Sequence, residues 1–173
     1  MTAPTGSENT VLCALVKSDL QSAAQLHSRC FADGWSSETL KKSFDIVGTL
    51  GIGACQCWEG ERCEGRTGQR TLSGLAIVRA IGDQADLLTI CVDPDYRGKG
   101  IGRRLLAASE EAAHRLGAAI IFLEVAENNE RATCLYRQAG YIIAGRRLNY
   151  YTDPTYGATA VVMKKTLAGK DTE

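Results

Sequence analysis

The feature that most restricts how this chain can fold is the run Arg97-Gly98-Lys99-Gly100-Ile101-Gly102. It follows an apolar stretch over residues 85–92, closed by Asp93-Pro94-Asp95. It precedes a segment in which Ile101, Leu105, Ala108, Ala112 and Leu116 recur at steps of three or four. That spacing predicts an amphipathic helix ended by Gly117. A glycine-rich turn from a strand into a helix exposes backbone N–H groups at the positive end of the helix dipole, which suits a phosphate. No Ser or Thr follows the Gly-Lys as a Walker A loop requires, and the Gly-x-Gly-x-Gly spacing is not the Gly-x-Gly-x-x-Gly of a dinucleotide fold. Arg97, Lys99, Arg103 and Arg104 add positive charge to the same stretch.

The surrounding pattern places this turn in one mixed sheet. Residues 10–16 read as a first strand. Ser18 or Asp19 can cap a helix running to Cys30, and Ser37 a second helix ending at Phe44. Residues 46–58 and 72–81 are β-rich, and the charged, glycine-rich stretch 59–70 between them suits a hairpin insertion. Residues 118–125 are apolar apart from Glu124, the pattern of a strand buried on both faces. Asn128 or Asn129 opens a helix to Gln138, and 141–147 and 159–165 read as closing strands. The order β-α-α-β-β-β-α-β-α-β-β predicts an α/β (α+β) fold with helices on both faces of the sheet. At 173 residues the chain suits a single domain, with flexible ends at 1–9 and 168–173.

Composition removes several function classes. Lys plus Arg and Asp plus Glu are both 20, so the net charge is zero, which disfavours a protein held along nucleic-acid phosphates. The apolar run at 118–123 is too short to span a bilayer, and the first twenty residues lack a basic signal-peptide region, so a cytoplasmic chain with no membrane partner is expected. Seven cysteines are an odd number and lie mostly in apolar runs, as reduced, buried thiols do. Cys55, Cys57 and Cys63 resemble half a zinc site without a second pair, so no metal is expected. His27 and His114 read as packing or surface residues.

Two residues stand out chemically. A carboxylate inside an apolar strand, as at Glu124, is costly to bury unless it is paired or faces a wet cleft, the alternative being a strand end turned to solvent. Tyr136 lies two helical turns after Asn129 on nearly the same face, where it could serve a site or simply pack.

Taken together, residues 88–106, Leu123-Glu124-Val125-Ala126-Glu127-Asn128-Asn129 and residues 132–141 resemble the acetyl-CoA core of the GNAT superfamily of N-acetyltransferases. More narrowly, Leu123-Glu124-Val125, Asn129, Leu135-Tyr136 and Asn149-Tyr150-Tyr151, with Trp35-Ser36 upstream, are similar to the bacterial ribosomal-protein alanine N-acetyltransferases. The resemblance implies a core over about 85–147 and a mostly antiparallel sheet splayed between strands 4 and 5. It also implies acetyl-CoA as co-substrate, with its pyrophosphate on the amides of Gly98, Lys99, Gly100, Ile101, Gly102 and Arg103 and beside the charges of Arg97 and Lys99. Ile90, Cys91 and Val92 would pair with the pantetheine arm, and the Val92 N–H would hold the oxyanion. By the same resemblance Glu124 is the general base, Tyr136 the general acid for the departing thiolate, Asn129 a cofactor ligand, and Trp35, Tyr150 and Tyr151 substrate contacts. Asp86 could support a water chain to the base. Cys91 has no histidine nearby in sequence and does not read as a nucleophile.

The implied reaction is direct acetylation of a protein N-terminus, in the narrower family the N-terminal alanine of small-subunit ribosomal protein number eighteen. An α-amine with a pKa near 7.7–8.0 is partly neutral at pH 7, whereas a lysine near 10.4 needs about 3 kcal/mol more to deprotonate. Two alternatives stay open: acetylation of a small amine or lysine side chain, and a non-catalytic acetyl-CoA sensor or partner subunit. The protein is expected as a monomer or weak dimer. Thr159 stands where the family often has an acidic residue, which bears on substrate choice.

Overall fold

The computed structural model describes residues 9–57, 71–148, 150 and 159–167. The expected insertion at 59–70, Tyr151, and most of the two expected flexible ends lie outside these residues. Asn9 already belongs to the first strand.

Among the described residues, seven strands form one sheet in the order β1-β2-β3-β4-β5-β7-β6. They are β1 (Asn9–Ala14), β2 (Thr49–Cys57), β3 (Leu72–Ile81), β4 (Gln84–Val92), β5 (Ile120–Ala126), β6 (Ile142–Arg147) and β7 (Ala160–Thr166). Every pairing is antiparallel except that of β4 with β5. Helices α1 (Leu20–Cys30) and α2 (Ser37–Phe44) cover one face, where Ala23, Leu26 and Leu40 pack with Leu75, Ile77 and Cys91. Helices α3 (Ile101–Arg115) and α4 (Glu130–Gln138) cover the other, where Leu105 and Leu106 pack with Val78, Leu87, Ile121 and Leu123. No helix among the described residues is long and apolar enough to cross a membrane.

Local chemistry shifts several boundaries. Ser36, not Ser37, caps α2: its Oγ accepts the Thr39 N–H at 3.1 Å. Neither Ser18 nor Asp19 caps α1 from its side chain. Asp19 turns back to accept the Val16 N–H at 2.9 Å, closing a 3-10 turn at Lys17–Asp19 ahead of the helix. At the start of α4 the cap is Asn129, whose Oδ1 accepts the Ala132 N–H at 3.1 Å.

The fifth strand departs most from expectation. It is not buried on both faces: Ile121, Leu123 and Val125 are buried against α3, while Ile120, Phe122 and Glu124 on the other face are only half-buried. It pairs with β4 over just four positions, from Gln84↔Ile120 to Leu87↔Leu123. On its other side β4 carries a bulge at that point, since Val78 pairs with Leu87 and Ile77 with Thr89, leaving Leu88 over. A bulge bends and twists its strand. Beyond it β4 swings away from β5, and the sheet opens into a wedge.

Candidate active site

A cavity of about 850 Å³ fills this wedge and passes from one face of the sheet to the other. On the α1 side its wall includes Phe31, Trp35, Asp86, Glu124 and Arg147, and on the α4 side Asn129, Ala132 and Tyr136. The two residues singled out chemically in the sequence are therefore brought to one cavity.

The end of β4 offers backbone donors to it. Asp93 N–H donates to Ser73 O at 2.9 Å, which fixes the phase of the ladder. In an antiparallel pair the residues alternate, so Cys91 turns its backbone toward β3 while Ile90 and Val92 turn theirs into the wedge. The Val92 carbonyl on that side accepts from Arg97 Nε at 3.0 Å and from the Cys30 thiol at 3.5 Å. Cys91 points its side chain the other way, into the core under α1. Its thiol is pushed far up, first by a hydrogen bond with Cys30 and then by burial, which suits packing rather than nucleophilic attack.

The glycine loop follows. Gly98 and Gly100 hold φ of 82° and 77°, the left-handed region that favours glycine. Gly100 is the N-cap of α3 and brings no side chain to it. The N–H groups of Ile101, Gly102 and Arg103 precede the first helical bond, Arg104 N–H to Gly100 O at 3.2 Å, and so remain as donors at the positive end of the dipole. These donors and the open edge of β4 fit a phosphorylated, amide-bearing ligand such as acetyl-CoA. The cations nearby are unequal partners of the loop. Lys99 lies 5.0 Å from the Tyr96 ring centre, Arg103 reaches Gln138 on α4, and Arg104 leaves the loop to donate to Thr10 O on β1.

Glu124 is the half-buried carboxylate of the α1-side wall, its side chain 25% exposed, and it pairs at 3.0 Å with Arg147 Nε. Arg147 also lies over the Tyr150 ring, with 5.7 Å from its guanidinium carbon to the ring centre, so Glu124, Arg147 and Tyr150 form one group. Asp86 lines the same wall. Its carboxyl is held above the usual range, first by burial and then by the charge of Glu124. Tyr136 is 5% exposed, and its ring stands 5.8 Å from that of Tyr141. Asn129 lines the cavity, although its side-chain oxygen is engaged in capping α4. Trp35 lies on the cavity wall against His27, and Thr159 sits beside β7, its carbonyl accepting the Glu127 N–H at 3.0 Å. No group of three His, Cys, Asp or Glu among the described residues could hold a metal.

Sequence reasoning missed two participants. Arg147 meets Glu124 across β7, a pairing that no local spacing encodes. His27 is buried, as one of the two readings open to it allows, but its place on the cavity wall is something one histidine on a helix does not signal.

Comparisons with known proteins agree with this geometry. The Acetyltransferase (GNAT) family model matches residues 20–141. An uncharacterised protein of Mycobacterium leprae is 34% identical over 166 residues, 92% of this chain, and the match spans only 41% of that longer protein. The [Ribosomal protein bS18]-alanine N-acetyltransferase of Escherichia coli strain K12 is 31% identical over 157 residues, covering 90% of this chain and 95% of that protein. The crystal structure of the ribosomal-protein-S18-alanine N-acetyltransferase from Escherichia coli superposes with a TM-score of 0.77 at 28% identity, over 95% of this chain and 99% of that one. With its splayed sheet, its glycine loop and a family match over most of its length, the chain belongs to the GNAT family of acetyltransferases.

Proposed function

We propose that the protein is an acetyl-CoA-dependent Nα-acetyltransferase acting on a protein N-terminus, with the N-terminal alanine of small-subunit ribosomal protein number eighteen as its substrate. The observation that carries this reading is the cavity through the sheet. It has a carboxylate, Glu124, on one face, a tyrosine, Tyr136, on the other, and Ile90 of β4 at the edge between them, with the Val92 backbone turned to the same side two residues on.

Acetyl-CoA supplies the acetyl group as an activated thioester. The amides of Ile101, Gly102 and Arg103 hold its pyrophosphate, and the backbone of Ile90 and Val92 takes its amide-bearing arm as an added strand. The Val92 N–H stabilises the negative charge that develops on the carbonyl oxygen. On the α1 side Glu124, held by Arg147, takes the proton that the attacking amine sheds, directly or through one water. On the α4 side the Tyr136 hydroxyl gives a proton to the departing sulfur. Glu124 ends one proton up and Tyr136 one proton down, and exchange with solvent restores both. An α-amine is close enough to neutrality at pH 7 for one carboxylate to suffice.

The test is incubation with acetyl-CoA and a peptide beginning with alanine and containing an internal lysine. The expected result is one acetyl mass on the α-amine and one equivalent of free thiol. Acetylation confined to the lysine overturns the Nα assignment. Intact-mass comparison of ribosomal proteins from cells with and without the gene tests the ribosomal substrate.

A further inference from the structure

His27 lies on α1 at the rim of the cavity, 3% exposed, with both ring nitrogens engaged. Nδ1 accepts the backbone N–H of Trp35 at 3.0 Å, and Nε2 lies 3.0 Å from Thr89 Oγ1. An imidazole nitrogen that accepts from an amide carries no proton, so the proton is on Nε2 and is donated to Thr89. The ring is stacked on Trp35, with centroids 5.2 Å apart and planes inclined at 19°, and is flanked by Phe31 at 4.5 Å. Phe31, Asp33 and Trp35, in the connection between α1 and α2, line the α1-side mouth of the cavity. Thr89 is the first residue of β4 after the Leu88 bulge, where the strand turns away from β5.

One side chain thus joins the connection that walls the acceptor mouth to the strand segment whose amides face the wedge. We propose that His27 is a positioning residue for the acceptor, holding the segment at 31–36 against β4 at Thr89 and so setting the width of the mouth through which the amine enters. This rests on the acetyltransferase reading for its kinetic consequence, but the strut itself can be read without any acceptor. Burial keeps the ring neutral by lowering its pKa to about 4, so the strut holds one tautomer throughout the neutral range.

The two links can be cut separately. Asn places an amide oxygen near the Nδ1 position and does not reach Thr89, whereas Gln places an amide nitrogen near Nε2 and leaves the Trp35 amide without its acceptor. Amide exchange in the free protein reads the strut directly. Trp35 N–H is expected to exchange faster in His27→Gln and to stay protected in His27→Asn, and equal protection in both overturns the proposal. In steady-state kinetics with the alanine peptide, His27→Asn, His27→Gln and Thr89→Val are each expected to raise the acceptor KM roughly tenfold, the order expected for one lost hydrogen bond. The KM for acetyl-CoA and kcat stay within about twofold. His27→Asn combined with Thr89→Val should be no worse than either alone, because both cut the same link. Equal losses in both KM values and in kcat mark a merely structural histidine and overturn the inference. Thr89→Val keeps the kinetic test open should a His27 variant fail to fold. A wild-type protein that acetylates no amine overturns the proposed function and leaves the exchange experiment to decide the strut.

Discussion

Glu124 shares the cavity-facing side of β5 with Phe122, and Tyr136 is buried at the α4 end of the same cavity, so conservative changes can separate chemistry from packing. Glu124→Gln and Tyr136→Phe are each expected to lower kcat about a hundredfold, the lower range for a lost general base or acid, with acetyl-CoA affinity by calorimetry nearly unchanged. Tyr136→Phe should also lose no more thermal stability than about 1 kcal/mol, the order of one hydrogen bond, because the ring against Tyr141 is retained. His27 supplies a prediction on stability. Its pKa is depressed from 6.5 to about 4, so between those values the unfolded chain binds the proton more readily than the native one. Stability is therefore full above about pH 6.5 and falls by up to about 3 kcal/mol as the pH drops toward 4. Chemical denaturation across that range checks this, and His27→Gln should remove the component. Glu124 was legible in the sequence because a lone carboxylate in an apolar run is conspicuous. Its partner Arg147 was not, because the pair forms only once β7 has been laid between their two strands.

Among the elements, the loop into α3 was the most legible, since a left-handed φ at Gly98 and Gly100 demands glycine on steric grounds alone. Nothing stands within 4 Å of a Cβ added at Gly100, so a substitution there pays in backbone conformation and not in crowding. Gly100→Val is expected to destabilise the fold by about 1–2 kcal/mol and to weaken acetyl-CoA binding, while Gly100→Asn should do so less, as asparagine tolerates this region. Urea unfolding and calorimetry measure the two effects. The third strand could be read to the residue because both its faces are buried. The same logic fails for β5, where a continuous apolar run suggests two buried faces and only one is buried. Phe122 and Glu124 of one face line the cavity instead, and an apolar residue such as Phe122 looks the same in sequence whether it meets a core or a cleft. The Leu88 bulge had no signature either, because both neighbours of the extra residue are ordinary strand formers.

Across the whole molecule, zero net charge conceals an uneven distribution: Arg97, Lys99 and Arg103 stand at the glycine turn before α3, while Asp33, Asp86 and Glu124 line the cavity with Arg147 as their neighbouring cation. A second charge pair ties distant parts together, Lys165 on β7 to Glu110 on α3 at 2.6 Å, both side chains largely buried. Lys165→Met alone leaves the Glu110 carboxylate buried without its cation and should cost about 3 kcal/mol, whereas Lys165→Met with Glu110→Leu should recover most of that loss. Thermal melts of the three variants test the pair. Finally, the wedge exists because β4 has one residue more than its ladder with β3 can use. Whether an opening is present is therefore a matter of counting, and what fits into it is a matter of shape. Substitutions along the walls can reshape the opening by degrees, but none of them adds or removes a rung. Only a change in chain length between Leu87 and Thr89 would do that, so the passage through this sheet is either present or absent, with no graded series between.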